Sequence, residues 1–112
     1  GNGNADGPFV YTGFKPAFIL FKHSGGGTAA GEHWRLRDNK RDPFNVGQKD
    51  LYANLNYAEA TSGGGTDYDI LSNGFKMRGL DNAQNNTGAT YIYMAFAAEP
   101  LVGTNNIPAT AR

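Results

Sequence analysis

The ten residues from Thr90 to Glu99 read T-Y-I-Y-M-A-F-A-A-E, and the rest of the chain is organised around them. Tyr91 to Ala98 is an unbroken apolar or aromatic run without charge, Gly or Pro, and Pro100 closes it. With period two, Ile92, Met94 and Phe96 share one face, while Tyr91, Tyr93, Ala95 and Ala97 share the other. A strand that can bury both faces is expected at the centre of a sheet. A short buried helix is the other option, but the run is brief for one and its aromatic content favours strand.

The remaining composition agrees with a β protein. Sixteen glycines and 12% aromatic residues in 112 residues describe a turn-rich single domain large enough to bury one core. Ten basic residues balance ten acidic ones, so no net charge draws the chain to nucleic acid or to an anionic membrane. The apolar runs are too short to span a bilayer as a helix, so no membrane insertion is expected. The absence of cysteine removes disulfides and thiolate metal sites. The chain starts at Gly1 rather than Met, which reads as a processed product or a piece of something longer.

Around the apolar run the pattern divides into a flexible glycine-rich linker over residues 1–8, a β-sandwich over 9–100 and an extended tail over 101–112. Phe9 to Tyr11, Ala17 to Lys22 and His33 to Asp38 read as strands, with Pro16 tolerated at a strand start. In the third of these, Trp34 and Leu36 are expected inward, with His33, Arg35 and Arg37 in solvent. Asn39 to Gly47 is a polar excursion that Phe44 and Val46 are expected to tuck down onto the body. Lys49 to Tyr57 fits a short strand or one helical turn. Ser72-Asn73-Gly74 between Y-D-I-L and F-K-M-R predicts a hairpin, with Phe75 and Met77 inward and Lys76 and Arg78 outward. Leu80 to Gly88 reads as a polar loop, and the triple glycines at 25–27 and 63–65 as mobile loops. The predicted class is all-β: an antiparallel sandwich, jelly-roll or lectin-like, with long glycine-rich loops. Its expected core comprises Trp34, Leu36, Phe75, Met77, Ile92, Met94 and Phe96.

Signals for chemistry are sparse. Gly1, Gly3 and Gly7 lack the spacing and the preceding strand of a dinucleotide fingerprint. His23 and His33, with Glu32 or Asp38, straddle a glycine loop and read better as exposed strand-end histidines than as a metal site. Asp67 and Asp69 share a strand face and, with Asp38 or Asp42 from a neighbouring loop, suit calcium or a hydrolase carboxylate pair, with turn capping as the plainer role. Arg35, Arg37, Lys40 and Arg41 form a basic cluster around Trp34, but Asp38 and Asp42 interrupt it and favour local ion pairs over nucleic acid. Asn85-Asn86-Thr87 is a glycosylation sequon by pattern. Tyr52, Asn54, Asn56 and Tyr57 combine ring faces with amide donors, a set suited to a sugar's C–H face and hydroxyls. No nucleophile–base pair assembles, so the chain is not read as an enzyme.

In their order, G-N-G-N-A-D-G-P-F-V-Y-T-G-F-K-P-A-F-I-L-F-K, W-R-L-R-D-N-K-R-D-P-F-N, D-I-L-S-N-G-F-K-M-R, T-Y-I-Y-M-A-F-A-A-E-P and a final P-A-T-A-R are similar to a domain of bacteriophage virion proteins. That domain occurs in tail-fibre-like proteins of marine and other aquatic phages, often beside lectin-like modules. The resemblance covers nearly the whole chain and carries structural residues, with no catalytic set. It implies a β-sandwich on the virion, outside the cell, with a role in assembly or host contact. The partners expected from these readings are further copies of the chain (a trimer or polymer), other virion proteins and a host surface glycan. The tail from Leu101 to Arg112 is expected to add a strand to a neighbour.

Overall fold

A computed structural model describes residues 1–27, 32–61 and 65–98. The expected tail over 101–112, and parts of both glycine loops, lie outside the described residues. The chain forms an all-β antiparallel sandwich of two sheets. The strands are β1 (Phe9–Tyr11), β2 (Pro16–Gly25), β3 (Arg35–Asp38), β4 (Lys49–Tyr52), β5 (Ala60–Thr61), β6 (Tyr68–Leu71), β7 (Gly74–Met77) and β8 (Thr90–Ala97), with one helical turn, α1 (Asn82–Asn85), before β8. One sheet has the order β1-β7-β6 and the other β5-β4-β3-β2-β8.

The Asn-Gly hairpin forms as the sequence predicts, with Ile70 opposite Phe75 and Tyr68 opposite Met77. Phe75 and Met77 are buried from the smaller sheet, and Ile19 and Phe21 of β2 meet them from the larger one. Tyr68 and Ile70 complete this core, since strand alternation sends residues two apart to the same face.

The central position expected for the apolar run goes instead to β2. Among the described residues strand β8 is an edge strand, paired to β2 along one side only. Its tyrosines face the smaller sheet. Ile92, Met94 and Phe96, expected in the core, point away from that sheet and are 48%, 52% and 56% exposed. Their apolar character is real, but nothing among the described residues stacks on that side.

Strand β3 alternates as expected but in the opposite phase. Arg35 and Arg37 point into the sandwich, while Trp34 and Leu36 lie half-buried on the far side. The inversion is possible because Asp50 of β4 reaches the same inner space and neutralises the guanidinium groups.

Two loops also differ. Phe44 and Val46 do not tuck in; Phe44 is exposed at the tip of its excursion. The loop is held by Asn45, whose side chain exchanges two 2.9 Å hydrogen bonds with the backbone of Ile70, and by Gly47, which bridges Tyr68. A Cβ at Gly47 would stand 2.4 Å from the Tyr68 ring, so only glycine brings the loop this close. Residues 1–8, expected as a flexible linker, are tied down by α1 and the loop after it. Gly3 N donates to Asn85 O, and the Asn85 side chain accepts from Asn2 N and donates to Asn4 O. Asn85 is thereby fully buried, which closes the glycosylation sequon to modification in the folded chain.

Candidate functional site

Two polar or aromatic clusters and one apolar face stand out. The first cluster lies inside the sandwich. Arg37 Nε donates to Asp50 Oδ1 at 2.6 Å, and its Nη2 donates to Asp50 Oδ2, to Thr66 O and to Gln84 Oε1. The guanidinium is also stacked between Phe21 and Tyr68, at 4.8 and 4.3 Å from their centroids. Arg35 donates to the other side of the network, to Asp50 at 2.9 Å and to Asp81 at 3.3 Å. Asp81 in turn caps α1 by accepting from Ala83 N. This network joins both sheets, the loop before β6 and α1. Its centre, Arg37 with Asp50, is buried, and only Asp81 at its margin reaches solvent.

Sequence reasoning missed Asp50 and Gln84. Each stands alone as one polar residue in mixed surroundings, and its value depends on a strand pairing that no local pattern announces.

The second cluster is the sugar-type set. The structure brings Tyr52 and Tyr57 together edge-to-face with centroids 6.0 Å apart, and His33 meets Tyr52 in the same way at 6.0 Å. Tyr57 is largely exposed. Asn54 is already engaged: its Oδ1 accepts from Trp34 N at 2.9 Å, and its Nδ2 lies 3.3 Å from His33 Nδ1. Asn56 is exposed beside them.

The metal-type residues are dispersed. Asp67 accepts from Gln48 Nε2, Asp69 lies 3.7 Å from Arg78 Nε, and no three His, Cys, Asp or Glu side chains converge among the described residues. His23 is not an exposed strand end. It is buried against Tyr91, with Nε2 2.8 Å from Gly26 O and Nδ1 3.4 Å from Glu32. The basic cluster resolves into ion pairs: Arg41 bridges Asp38 at 2.6 Å and Glu59 at 2.8 Å. No helix among the described residues is long and apolar enough to cross a membrane.

The outer face of the larger sheet is the third feature. Leu51, Leu36, Leu20 and Met94 stand side by side across four strands, each paired in register with the next. Phe18 and Phe96 flank this row on one side, packed edge-to-face at 5.7 Å. Ile92 and Trp34 flank it on the other, with the Lys22 ammonium 5.9 Å from the Trp34 ring. Of the seven residues read as core from the sequence, Phe75 and Met77 lie inside the sandwich, while Trp34, Leu36, Ile92, Met94 and Phe96 lie on this outer face. Between edge strands β1 and β8 a separate apolar cavity of about 230 Å³ opens over Val10, Phe75 and Tyr93. It is smaller than the pockets that usually hold organic ligands.

The chain belongs to the DUF7483 family, a domain of unknown function whose family model matches residues 1–100. No curated protein and no solved structure matches it.

Proposed function

We propose that this domain is a non-enzymatic structural module of a phage virion, a part of a tail fibre or surface appendage that self-assembles and presents its loops toward the host. The observation that carries the reading is β8: an uncharged eight-residue strand at a sheet edge, with Ile92, Met94 and Phe96 half exposed. Soluble proteins usually protect such an edge with charge, Pro or a bulge, because its free backbone groups and apolar side chains recruit another chain. The neutral net charge adds no repulsion between copies. The virion location rests on the resemblance of nearly the whole chain to phage fibre domains. Carboxylates bound to arginines, rather than paired with each other over a cleft, fit a scaffold better than a hydrolase.

Mass spectrometry and antibody labelling of purified particles test this function. The domain should be found in the virion at an appendage; its absence from particles would contradict the proposal.

The Tyr52–Tyr57 pair favours a second role within the same appendage, contact with a host surface glycan. Replacing both tyrosines by Ala should abolish retention on a polysaccharide array, with circular dichroism showing that the variant still folds. Retained binding would remove this site from the account.

A further inference from the structure

The cleft between edge strands β1 and β8 holds about 230 Å³ and is walled by side chains of both sheets. Apolar cavities of about 150 Å³ already admit benzene, and drug-sized ligands need roughly 300 Å³ or more. One ring of benzene to indole size is what this volume takes. Val10 lines it from β1, Phe75 and Met77 from β7, Phe21 from β2, and Tyr91 and Tyr93 from β8. Phe75 already meets Tyr93 edge-to-face, with centroids 5.3 Å apart. Aromatic rings prefer this arrangement to flat stacking, and a thioether such as that of Met77 favours a ring edge. The lining therefore suits an aromatic guest better than an aliphatic one.

The polar groups of the wall are already engaged. Tyr91 Oη donates to Asn82 O at 3.0 Å and accepts from Asn86 N at 2.8 Å. Gln84 accepts from Arg37, and its Nε2 donates to Gly65 O at 3.1 Å. Ala89 O accepts from Gly1 N at 2.7 Å, and Pro8 O accepts from Met77 N at 3.2 Å. A water inside would find few of the two to four partners it needs, whereas a guest that asks for no hydrogen bond loses nothing. Tyr93, 43% exposed, forms the rim. Residues 99–112 include no aromatic residue, so that segment supplies no ring. The most exposed ring among the described residues is Phe44, at 80%. Its loop is fastened through Asn45 and Gly47 to β6, the edge of the smaller sheet opposite β1, so it faces away from its own cleft.

We infer that this cleft is a binding site for a single aromatic ring of benzene to indole size, held edge-to-face against Phe75 and Tyr93. The inference is independent of the virion reading, because it rests on the volume, lining and satisfied polar groups of the cleft. The ring arrives either on a free small molecule or as Phe44 of a second copy; the chemistry of the site is the same for both.

Methyl NMR of the dilute full chain, titrated with indole and with toluene, tests it. The expected result is saturable shifts at the Val10, Met77 and Ala89 methyls, with a thermal midpoint that rises with ligand by mass action. Val10→Phe and Ala89→Leu each fill part of the cleft. In whichever of them circular dichroism shows to be folded, the dissociation constant for indole should rise at least about tenfold. Without added ligand, shifts of the same methyls that grow with protein concentration and vanish in Phe44→Ala would assign the ring to a neighbouring copy. Shifts that appear with indole and toluene and not with protein concentration would assign it to a free molecule. No saturable shift at these methyls up to the solubility limit of indole would overturn the site, as would unchanged affinity in the filled variants. Ring binding that appears only after residues 101–112 are deleted would overturn it too, because the chain's own segment would then occupy the cleft.

Discussion

Arg37 and Asp50, each 1% exposed, stand side by side on neighbouring strands of the larger sheet, on its inner face, with Nε 2.6 Å from Oδ1. Burying a guanidinium and a carboxylate is costly, and the geometry answers that cost on every side. Asp50 also accepts from Arg35, while Gln84 Oε1 and the Thr66 carbonyl accept further hydrogen bonds from Arg37. Such a pair adds little net stability over an apolar substitute, but it is intolerant of losing one member. It also fixes the register of β3 against β4, because a one-residue slip would carry both arginines to the outer face.

Asp50→Ala is therefore expected to destabilise the domain by about 3–5 kcal/mol, enough to unfold much of it at 37 °C. Urea denaturation with a linear extrapolation measures it. A loss below about 1 kcal/mol would show that the two arginines find other partners.

Tyr68 gives a contrasting expectation. Its ring stacks on Arg37, but its buried hydroxyl has no hydrogen-bond partner among the described residues. Tyr68→Phe keeps the ring and removes the unpaired group, so stability should hold or rise by up to about 1 kcal/mol. Burial pushes the phenol from 10.0 up to about 12. Because the folded state holds the neutral form more tightly, this contribution is intact below pH 10 and lost as pH rises toward 12. The wild-type unfolding midpoint should fall more steeply than that of Tyr68→Phe over this window. Parallel slopes would contradict the assignment.

Asp38 acts at the other end of the scale. Burial alone would raise its carboxyl, but the backbone and guanidinium of Arg41, with the backbone of Lys40, outweigh burial and hold it below 3.8. A depressed carboxylate stabilises the fold above its unfolded value and loses that contribution as pH falls through the lower folded one. The wild type should thus lose stability below about pH 4 faster than Asp38→Asn, as read from thermal midpoints at pH 5 and pH 3. Equal losses would mean that the Arg41 contact is not formed in solution.

Much of the fold was legible in the sequence where the signal is local. Asn73-Gly74 fixes the hairpin by turn chemistry, and Pro16 marks a strand start. The strand nature of Thr90 to Ala97 follows from its aromatic period-two pattern. What local pattern does not contain is which of two plausible faces meets the other sheet. In β3 both faces are suited to burial, one by leucine and tryptophan and one by arginines with a distant Asp50, and hydrophobicity alone selects the wrong one for the isolated domain. The same ambiguity placed Ile92, Met94 and Phe96 in the core. The Tyr52–Tyr57 contact was legible as composition, whereas the commitment of Asn54 to Trp34 and His33 required the structure.

The two methionines report on self-assembly most directly. Met77 is 6% exposed inside the sandwich, and Met94 is 52% exposed on the outer face of an isolated chain. Peroxide oxidation followed by peptide mass spectrometry, repeated over a range of protein concentrations, reads both sites at once. Self-assembly through β8 predicts that Met77 reacts slowly throughout, while Met94 reacts fast in dilute solution and becomes protected as copies associate. Met94 oxidising equally fast at every concentration would contradict it.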